Sequence, residues 1–323
     1  PVCIGSFSGG VFVQPTDPKA GPKQLAEFTK AEAKIAAKCA AAETANEIAG
    51  MFSCIGSTTA ADLQACISCN GFNALVDAAD QQYSENGTPI ANGPGALQVA
   101  VTAASAGEKL LIASGDYQEE VLILTDGLRL VGCGGATNDR PRIIPPVVQT
   151  TGRGIRSGGV DGLVFQSLAT FNQTNDGIFV QGAEGVTFRD IVTDGNFVSK
   201  YAIFPIQSQN VLIELCTVRA VADAGLYVGQ SGATILRHND VRTSVAGTEF
   251  ENTVNGRAYG NYSTDNTAGI LVFKDPNLID QSSCHQVDHN VFESNNRVNI
   301  GTGTVGGVPD GTGTFVLLDN PRV

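Results

Sequence analysis

The sequence predicts an all-β solenoid, a right-handed three-sheet parallel β-helix, with a small disulfide-linked α-helical subdomain near its N-terminus. Three observations lead to this fold class. A short apolar motif recurs every 22 to 25 residues in the second half of the chain. The composition combines 38 Gly and 13 Pro with only 16% charged residues, as in a folded, loop-rich protein. Half of the eight cysteines are concentrated in an Ala-rich stretch that precedes the repeats.

Each copy of the repeated motif is a small residue followed by apolar residues. The copies G-I-R, G-I-F-V, A-I-F-P, G-L-Y-V, G-T-E-F and G-I-L-V start at Gly154, Gly177, Ala202, Gly225, Gly247 and Gly269. Each interval holds three short apolar segments separated by turn residues. One coil cannot bury its inward side chains, but coils stacked about 4.8 Å apart can. A β-sandwich would show alternating strands without this period.

The repeats assign residues 95–323 to the β-helix, which begins with a short capping helix. Asn239 and Asn290 occupy equivalent turns, and Asn261 is a further candidate for the same position. Stacked amides at such turns can form hydrogen bonds between coils. Residues 22–94 are predicted to form the Cys-containing helical subdomain, because their apolar residues recur at helical spacing. Residues 1–21 form an extended N-terminal segment in this prediction.

The helical subdomain contains the cysteines Cys39, Cys54, Cys66 and Cys69. Two short helices bury too little surface to be stable alone, so we expect disulfides between them. Of the three pairings that four cysteines allow, the nested one, Cys39 with Cys69 and Cys54 with Cys66, suits antiparallel helices best. A four-thiolate zinc site around Cys66 and Cys69 is the alternative.

Charge and cysteine content constrain the partners and the compartment. The net charge of −12 and the pI near 4.6 disfavour nucleic acid and anionic lipid surfaces. No apolar run approaches the ~20 residues that span a bilayer. The even cysteine count and the sequons at Asn86, Asn172 and Asn261 favour a secreted, extracellular or cell-surface protein. The start at Pro1, without a signal peptide, is expected of a processed mature chain.

Two segments carry a family resemblance. Residues 96–132, which include A-L-Q-V-A-V-T-A and G-L-R-L-V-G, resemble the opening of the pectin-lyase-like superfamily of right-handed β-helices. Residues 266–276, N-T-A-G-I-L-V-F-K-D-P, resemble a bacterial family of secreted parallel β-helix repeat proteins of unsettled function. The resemblance covers about 96–300 and implies the fold more strongly than an activity. It implies that any polysaccharide chemistry takes place on the outer face of one sheet.

Strand alternation indicates which repeat residues face outward. With Ile178, Ile203 and Leu226 facing inward, the opposite face is a mostly aromatic binding surface. Its members are Phe179, Phe204, Tyr227, Leu271 and Phe273. Such a face could stack on sugars, or it could be covered by the helical subdomain.

Five charged residues on or before this sheet are the candidate catalytic groups. Glu249 and Glu251 are two apart on one strand, and Asp176, Lys200 and Asp223 precede the sheet in successive coils. Lyases and epimerases need a base beside a cation, and the two glutamates could act as acid and base or bind Ca²⁺. The structural alternative is that they are solvated surface acids. The motif blocks of polygalacturonase-like proteins do not occur in order, and no other cofactor or metal centre is predicted.

The chain ends predict assembly. Val11, Phe12 and Val13 form a strand-like segment without an evident local partner. Near the other end, Phe315, Val316, Leu317 and Leu318 follow a Gly-rich stretch and no capping helix follows them. The leading hypothesis is therefore a non-catalytic structural or adhesive protein that assembles head to tail into filaments. The alternatives are a lyase or epimerase acting on uronate polysaccharides and a glycan-binding module.

Overall fold

A computed structural model describes residues 6–8, 11–13, 87–133, 140–301 and 306–317. The chain divides into two units, residues 1–86 and 87–323. In the first unit, β1 (Ser6–Ser8) pairs antiparallel with β2 (Val11–Val13), so Val11–Val13 does have a local strand partner. Residues 22–86 of the predicted helical subdomain, with its cysteines Cys39, Cys54, Cys66 and Cys69 and the sequon Asn86, lie outside the described residues, as does Leu318, whereas residues 87–94 include a β-strand.

The second unit is a solenoid of three parallel sheets, in which each coil contributes one strand to each sheet. The first sheet contains β3 (Thr88–Ile90), β4 (Lys109–Ile112), β7 (Arg129–Gly132), β10 (Val164–Gln166), β13 (Glu184–Arg189), β16 (Gln209–Glu214), β19 (Ile235–Arg237), β22 (Arg257–Tyr259) and β25 (Gln286–Asp288). The second contains β5 (Gly115–Gln118), β8 (Pro141–Ile144), β11 (Ala169–Phe171), β14 (Val192–Asp194), β17 (Thr217–Arg219), β20 (Asp240–Arg242), β23 (Tyr262–Thr264) and β26 (Val291–Glu293). The third contains β6 (Val121–Ile123), β9 (Ile155–Gly158), β12 (Asp176–Gln181), β15 (Tyr201–Ile206), β18 (Ala224–Gly229), β21 (Ala246–Glu251), β24 (Ala268–Phe273) and β27 (Thr312–Leu317).

The solenoid begins at β3, ahead of residue 95. Thr88, Pro89 and Ile90 pair in parallel with Leu110–Ile112 of β4. Pro89 interrupts the apolar sequence pattern that would predict a strand here. Proline is nevertheless tolerated at a sheet edge, where its missing N–H faces no neighbouring strand. The repeated motif itself forms the strands of the third sheet, which makes this sheet the best predicted part of the fold.

The core is a column of inward side chains along the solenoid axis. Ile155, Ile178, Ile203 and Leu226 stack on successive strands of the third sheet, Thr248 follows on β21 and Ile270 on β24, and all six are buried. The inward residues of the first sheet stack similarly, as the rings of Phe165 and Phe188 do, with centroids 5.2 Å apart. Because each coil covers only its neighbours, burial is shared along the stack.

Turn asparagines join the coils, as predicted. Asn239 Nδ2 donates to Asn261 Oδ1 at 2.9 Å, and Asn261 Nδ2 donates to Asn290 Oδ1 at 2.9 Å. A second ladder runs from Asn266 to Asn295, with 3.1 Å between Nδ2 and Oδ1. Asn261 is 3% exposed, so this sequon is buried in the folded solenoid.

Helix α1 (Ala96–Ala103) caps the N-terminal end of the solenoid. Its apolar residues Leu97 and Val101 are buried against the first coil. The Glu119 carboxylate accepts hydrogen bonds from the backbone N–H groups of Leu97 and Gln98, where helix N-terminal amides lack partners. Among the described residues, no helix is long and apolar enough to cross a membrane. Cys133, Cys216 and Cys284 are free thiols.

Candidate functional site

The candidate site lies on the outer face of the third sheet. Strand register places Phe179 beside Phe204 and Tyr227 beside Glu249, with Leu271 on the next strand. Glu251 pairs with Gly229 and Phe273 in the adjoining column. The regular period of the third sheet thus brings predicted residues that are 92 positions apart in sequence (271 − 179) onto one surface.

Tyr201 joins the aromatic residues of this surface, although the sequence analysis did not select it. Its ring centroid lies 4.6 Å from that of Phe204 and 4.7 Å from that of Tyr227. The Phe179 and Phe204 centroids are 5.1 Å apart. Tyr201 occupies the repeat position just before the small residue, the same position as Asp176. Aligning that position between repeats would have identified it.

The two glutamates are not solvated surface acids. Glu249 is only 1% exposed and Glu251 is half-buried. Burial, the charge of Asp223 and the interaction with Glu251 raise the pKa of Glu249 well above its ordinary value. Burial also raises the pKa of Glu251, partly offset by hydrogen bonds from Tyr227 and Glu249. The hydrogen bond between the two carboxyl groups raises the pKa of Glu249 and opposes the increase at Glu251, so Glu249 is the group of the pair that holds a proton more tightly.

Asp223 is the third buried carboxyl group of the cluster. Burial raises its pKa to about 6, although the positive charge of Lys200 and a hydrogen bond from Tyr201 oppose the increase. Lys200 is exposed, and its Nζ lies 4.8 Å from the centroid of the Tyr201 ring. The backbone places Lys200 and Asp223 side by side in successive coils, where the Asp223 N–H donates to the Lys200 carbonyl at 3.1 Å.

Asp176 is fully buried and paired with an arginine that the sequence analysis missed. Arg153 Nε lies 2.6 Å from Asp176 Oδ2, and its guanidinium carbon lies 3.8 Å from the Phe179 ring centroid. Burial raises the pKa of Asp176, while Arg153 and Lys200 oppose this. Arg153 precedes Gly154 as Asp176 precedes Gly177, so the repeat alignment also contains the signal for Arg153. This ion pair makes Asp176 a positioning group rather than a free acid or base.

Three buried carboxylate oxygens in the cluster have no hydrogen-bond partner. They are Asp176 Oδ1, Asp223 Oδ1 and Glu249 Oε2. An unpaired buried polar atom costs about 1–3 kcal/mol, so their concentration on one surface indicates a site shaped for something other than stability. Over the residues that the structure covers, no three His, Cys, Asp or Glu side chains converge as metal ligands.

The predicted binding surface is only partly open. Phe179 and Phe204 are half-buried, whereas Leu271 and Phe273 are buried in a cluster that includes Val308. Leu271 and Phe273 therefore pack inside the protein and cannot offer a face to a sugar. The surface is open toward the N-terminal coils and covered toward the C-terminal ones.

Comparison with known proteins supports the architecture. Residues 176–316 match the family described as "Right handed beta helix region". The solenoid is a right-handed β-helix. Two solved structures align with parts of this chain: the family 28 exopolygalacturonase of Yersinia enterocolitica and the alginate lyase of Paenibacillus sp. strain FPU-7.

The two structural matches are distant. The exopolygalacturonase aligns at 9% identity and a TM-score of 0.46, covering 63% of this chain and 53% of its own, about half its length. The alginate lyase aligns at 11% identity and a TM-score of 0.41, covering 72% of this chain and 98% of its own. A comparison with curated protein sequences finds no match. Any activity must therefore be argued from the site of this β-helix itself.

Proposed function

We propose that the protein is a polysaccharide lyase that acts on uronate-containing chains by acid–base catalysis at the cluster of Lys200, Asp223, Glu249 and Glu251. The observation that supports it is the separation of protonation states on one surface: Glu249 favours the protonated form, while Asp223 has a pKa of about 6. A general acid and a general base near neutral pH are what such chemistry needs.

Each residue has a role in the elimination. Lys200 is exposed and pairs with the uronate carboxylate, which makes the neighbouring C5 proton more acidic. Asp223 takes that proton, and the electron pair forms the C4–C5 double bond as the C4–O bond breaks. The leaving oxygen receives a proton from the Glu249–Glu251 pair, and the proton on Asp223 then restores that pair. The step needs no other reactant.

The experiment is incubation with polygalacturonate and with alginate, followed through the ultraviolet absorbance of the unsaturated product. We expect wild-type activity to increase as the pH rises through about 6, because Asp223 must be ionised to act as the base. Glu249→Gln should lower turnover by about 100-fold or more, since it removes a general acid. Glu184→Gln, on the exposed outer face of the first sheet, is the matched control.

The products distinguish the alternatives. New reducing ends without ultraviolet absorbance would show hydrolysis and reject the lyase. Equal activity in wild type and Glu249→Gln would remove the cluster from catalysis. Binding of these polysaccharides without any product would favour the glycan-binding module.

A non-catalytic assembling protein is the second candidate, favoured by one observation. β27 contains Phe315, Val316 and Leu317, and in the described part of the chain it pairs only with β24. An unpaired strand edge can accept a strand of another subunit. Negative-stain electron microscopy across a dilution series tests this candidate: ordered filaments support it, and dispersed monomers reject it.

A further inference from the structure

The outer column of the third sheet continues past the aromatic residues toward the N-terminal coils. Register aligns Arg156 of β9 with Phe179 of β12, and Phe179 with Phe204 of β15. Tyr227 and Glu249 follow on β18 and β21. Because neighbouring strands are about 4.8 Å apart, the backbone of Arg156 lies about 19 Å, or four strands, from that of Glu249.

Arg156 differs from its neighbour Arg153 in its partners. Arg153 is bound to Asp176 and stacked on Phe179. Arg156 is half-buried and faces outward between the buried residues Ile155 and Ser157. Within the part of the chain that the structure describes, its guanidinium has no ion-pair or hydrogen-bond partner. A guanidinium on a strand that is paired on both sides is well suited to a carboxylate or sulfate, which it can bind through two parallel hydrogen bonds.

The column is open on one side of the cluster only. Beyond Glu249, Leu271 and Phe273 are buried together with Val308. On the other side Phe179 and Phe204 are half-buried, and Gln181 is exposed. Along this column, a polymer that reaches the carboxyl cluster past the buried Tyr227 side chain can therefore extend toward Arg156 but not toward Phe273.

We propose that Arg156 is a specificity-determining residue that binds the acidic group of a sugar several rings away from the reacting end. Arg156, Phe179 and Phe204 form a one-sided binding track, defined by these three residues, which holds an acidic polysaccharide along the solenoid axis. The inference rests on the proposed function, because it takes the carboxyl cluster as the place where the chain end reacts. The aromatic rings contribute apolar contact to the sugars between the two charged positions.

The test is isothermal titration calorimetry with oligogalacturonates and oligoalginates of increasing length. Neutral cello-oligosaccharides of matched length serve as uncharged ligands. We expect the affinity for the acidic oligomers to rise with length until the chain reaches Arg156. Arg156→Gln should lower the affinity for the long acidic oligomers by about tenfold, or about 1.4 kcal/mol, and leave the affinity for the short ones unchanged.

Arg219→Gln is the matched control, since Arg219 is exposed on β17 of the second sheet. It should bind every oligomer as the wild type does. The proposal is overturned if neither acidic series binds, or if long oligomers bind Arg156→Gln and wild type with equal affinity. It is also overturned if Arg219→Gln lowers the affinity for long acidic oligomers as much as Arg156→Gln does.

The same variants separate this proposal from the proposed function. Arg156-dependent binding of long oligomers without product formation would keep the track and reject the lyase. Product formation with equal KM in wild type and Arg156→Gln would keep the lyase and reject the track. With both proposals correct, Arg156→Gln raises KM for long acidic substrates and leaves kcat unchanged, as expected when uniform binding is lost.

Discussion

At the scale of single residues, Asp223 links the site to stability. Its pKa is raised from 3.8 to about 6, so the folded state prefers the neutral carboxyl group. Its stabilising contribution is complete below pH 4 and is lost as the pH rises through about 6, because the folded state binds the proton more tightly than the unfolded state. Asp223→Asn should therefore gain stability relative to wild type over this range, by about 3 kcal/mol at pH 7.

Urea unfolding of both proteins between pH 4 and pH 7 measures this difference. Glu120→Gln provides a control of opposite sign. The backbone N–H groups of Thr150, Thr151 and Gly152 donate to the Glu120 carboxylate, and these bonds outweigh burial and lower its pKa to about 2. Glu120→Gln should thus lose stability relative to wild type as the pH rises. A constant difference between Asp223→Asn and wild type would contradict the raised pKa.

Residue types and spacing predict which residues form the site better than they predict how buried those residues are. Asp176, Lys200 and Asp223 are candidates because they precede the sheet in successive coils, and Glu249 and Glu251 because they are two apart on one strand. The burial of Glu249 was not predicted, since an outward position on an isolated strand faces solvent. That burial depends on tertiary packing over the outer face, where Val308 joins Leu271 and Phe273. The local sequence of the strand does not predict that other parts of the chain bury its outer face.

At the scale of the sheet, one glycine makes room for the site. A Cβ on Gly229 would lie 2.7 Å from Tyr227 Cε1 and 2.9 Å from its hydroxyl oxygen. Tyr227 is buried among Tyr201 and Phe204, so its ring cannot swing aside. Gly229→Ala should therefore cost about 1–3 kcal/mol through overpacking and disturb the hydrogen bond from Tyr227 to Glu251.

Gly158 offers a matched control, because register places it in the same column as Gly229, three strands before β18. A Cβ on Gly158 would meet no atom within 4 Å. Gly158→Ala should leave the stability within about 0.5 kcal/mol of wild type. Thermal unfolding of the two variants measures the contrast, and equal losses would mean that Tyr227 is not confined as described.

The strands of the third sheet were predictable for a reason that does not extend to the whole chain. The period of a repeat predicts which residues pair between neighbouring coils, because equivalent residues must stack for each coil to bury its core. The Asn239–Asn261–Asn290 ladder follows from the same logic and was predicted. β3 was missed because it joins the first sheet at an edge, outside the repeats. The Ser6–Ser8 partner of Val11–Val13 was missed because the strands are only three residues each.

At the scale of the whole solenoid, the two ends differ in how they are closed. The N-terminal end is covered by α1, whose Leu97 and Val101 pack against the first coil. In the last coil, Val316 occupies the position that Val272 occupies one strand earlier, yet Val316 is 47% exposed and Val272 only 2%. Within the described residues, no further coil covers this inward position, so its side chain is exposed. The C-terminal edge is therefore where we expect another chain to add.

Substitution of Val316 by lysine tests that expectation directly. A charge on an edge strand opposes pairing with a second strand, so Val316→Lys should remain monomeric at concentrations where wild type associates. Val298→Lys, at an exposed position outside any strand, should associate as wild type does. Sedimentation velocity across a dilution series measures all three proteins. Association that survives Val316→Lys would place the contact elsewhere, and a wild type that stays monomeric throughout would leave catalysis or glycan binding as the function of the β-helix.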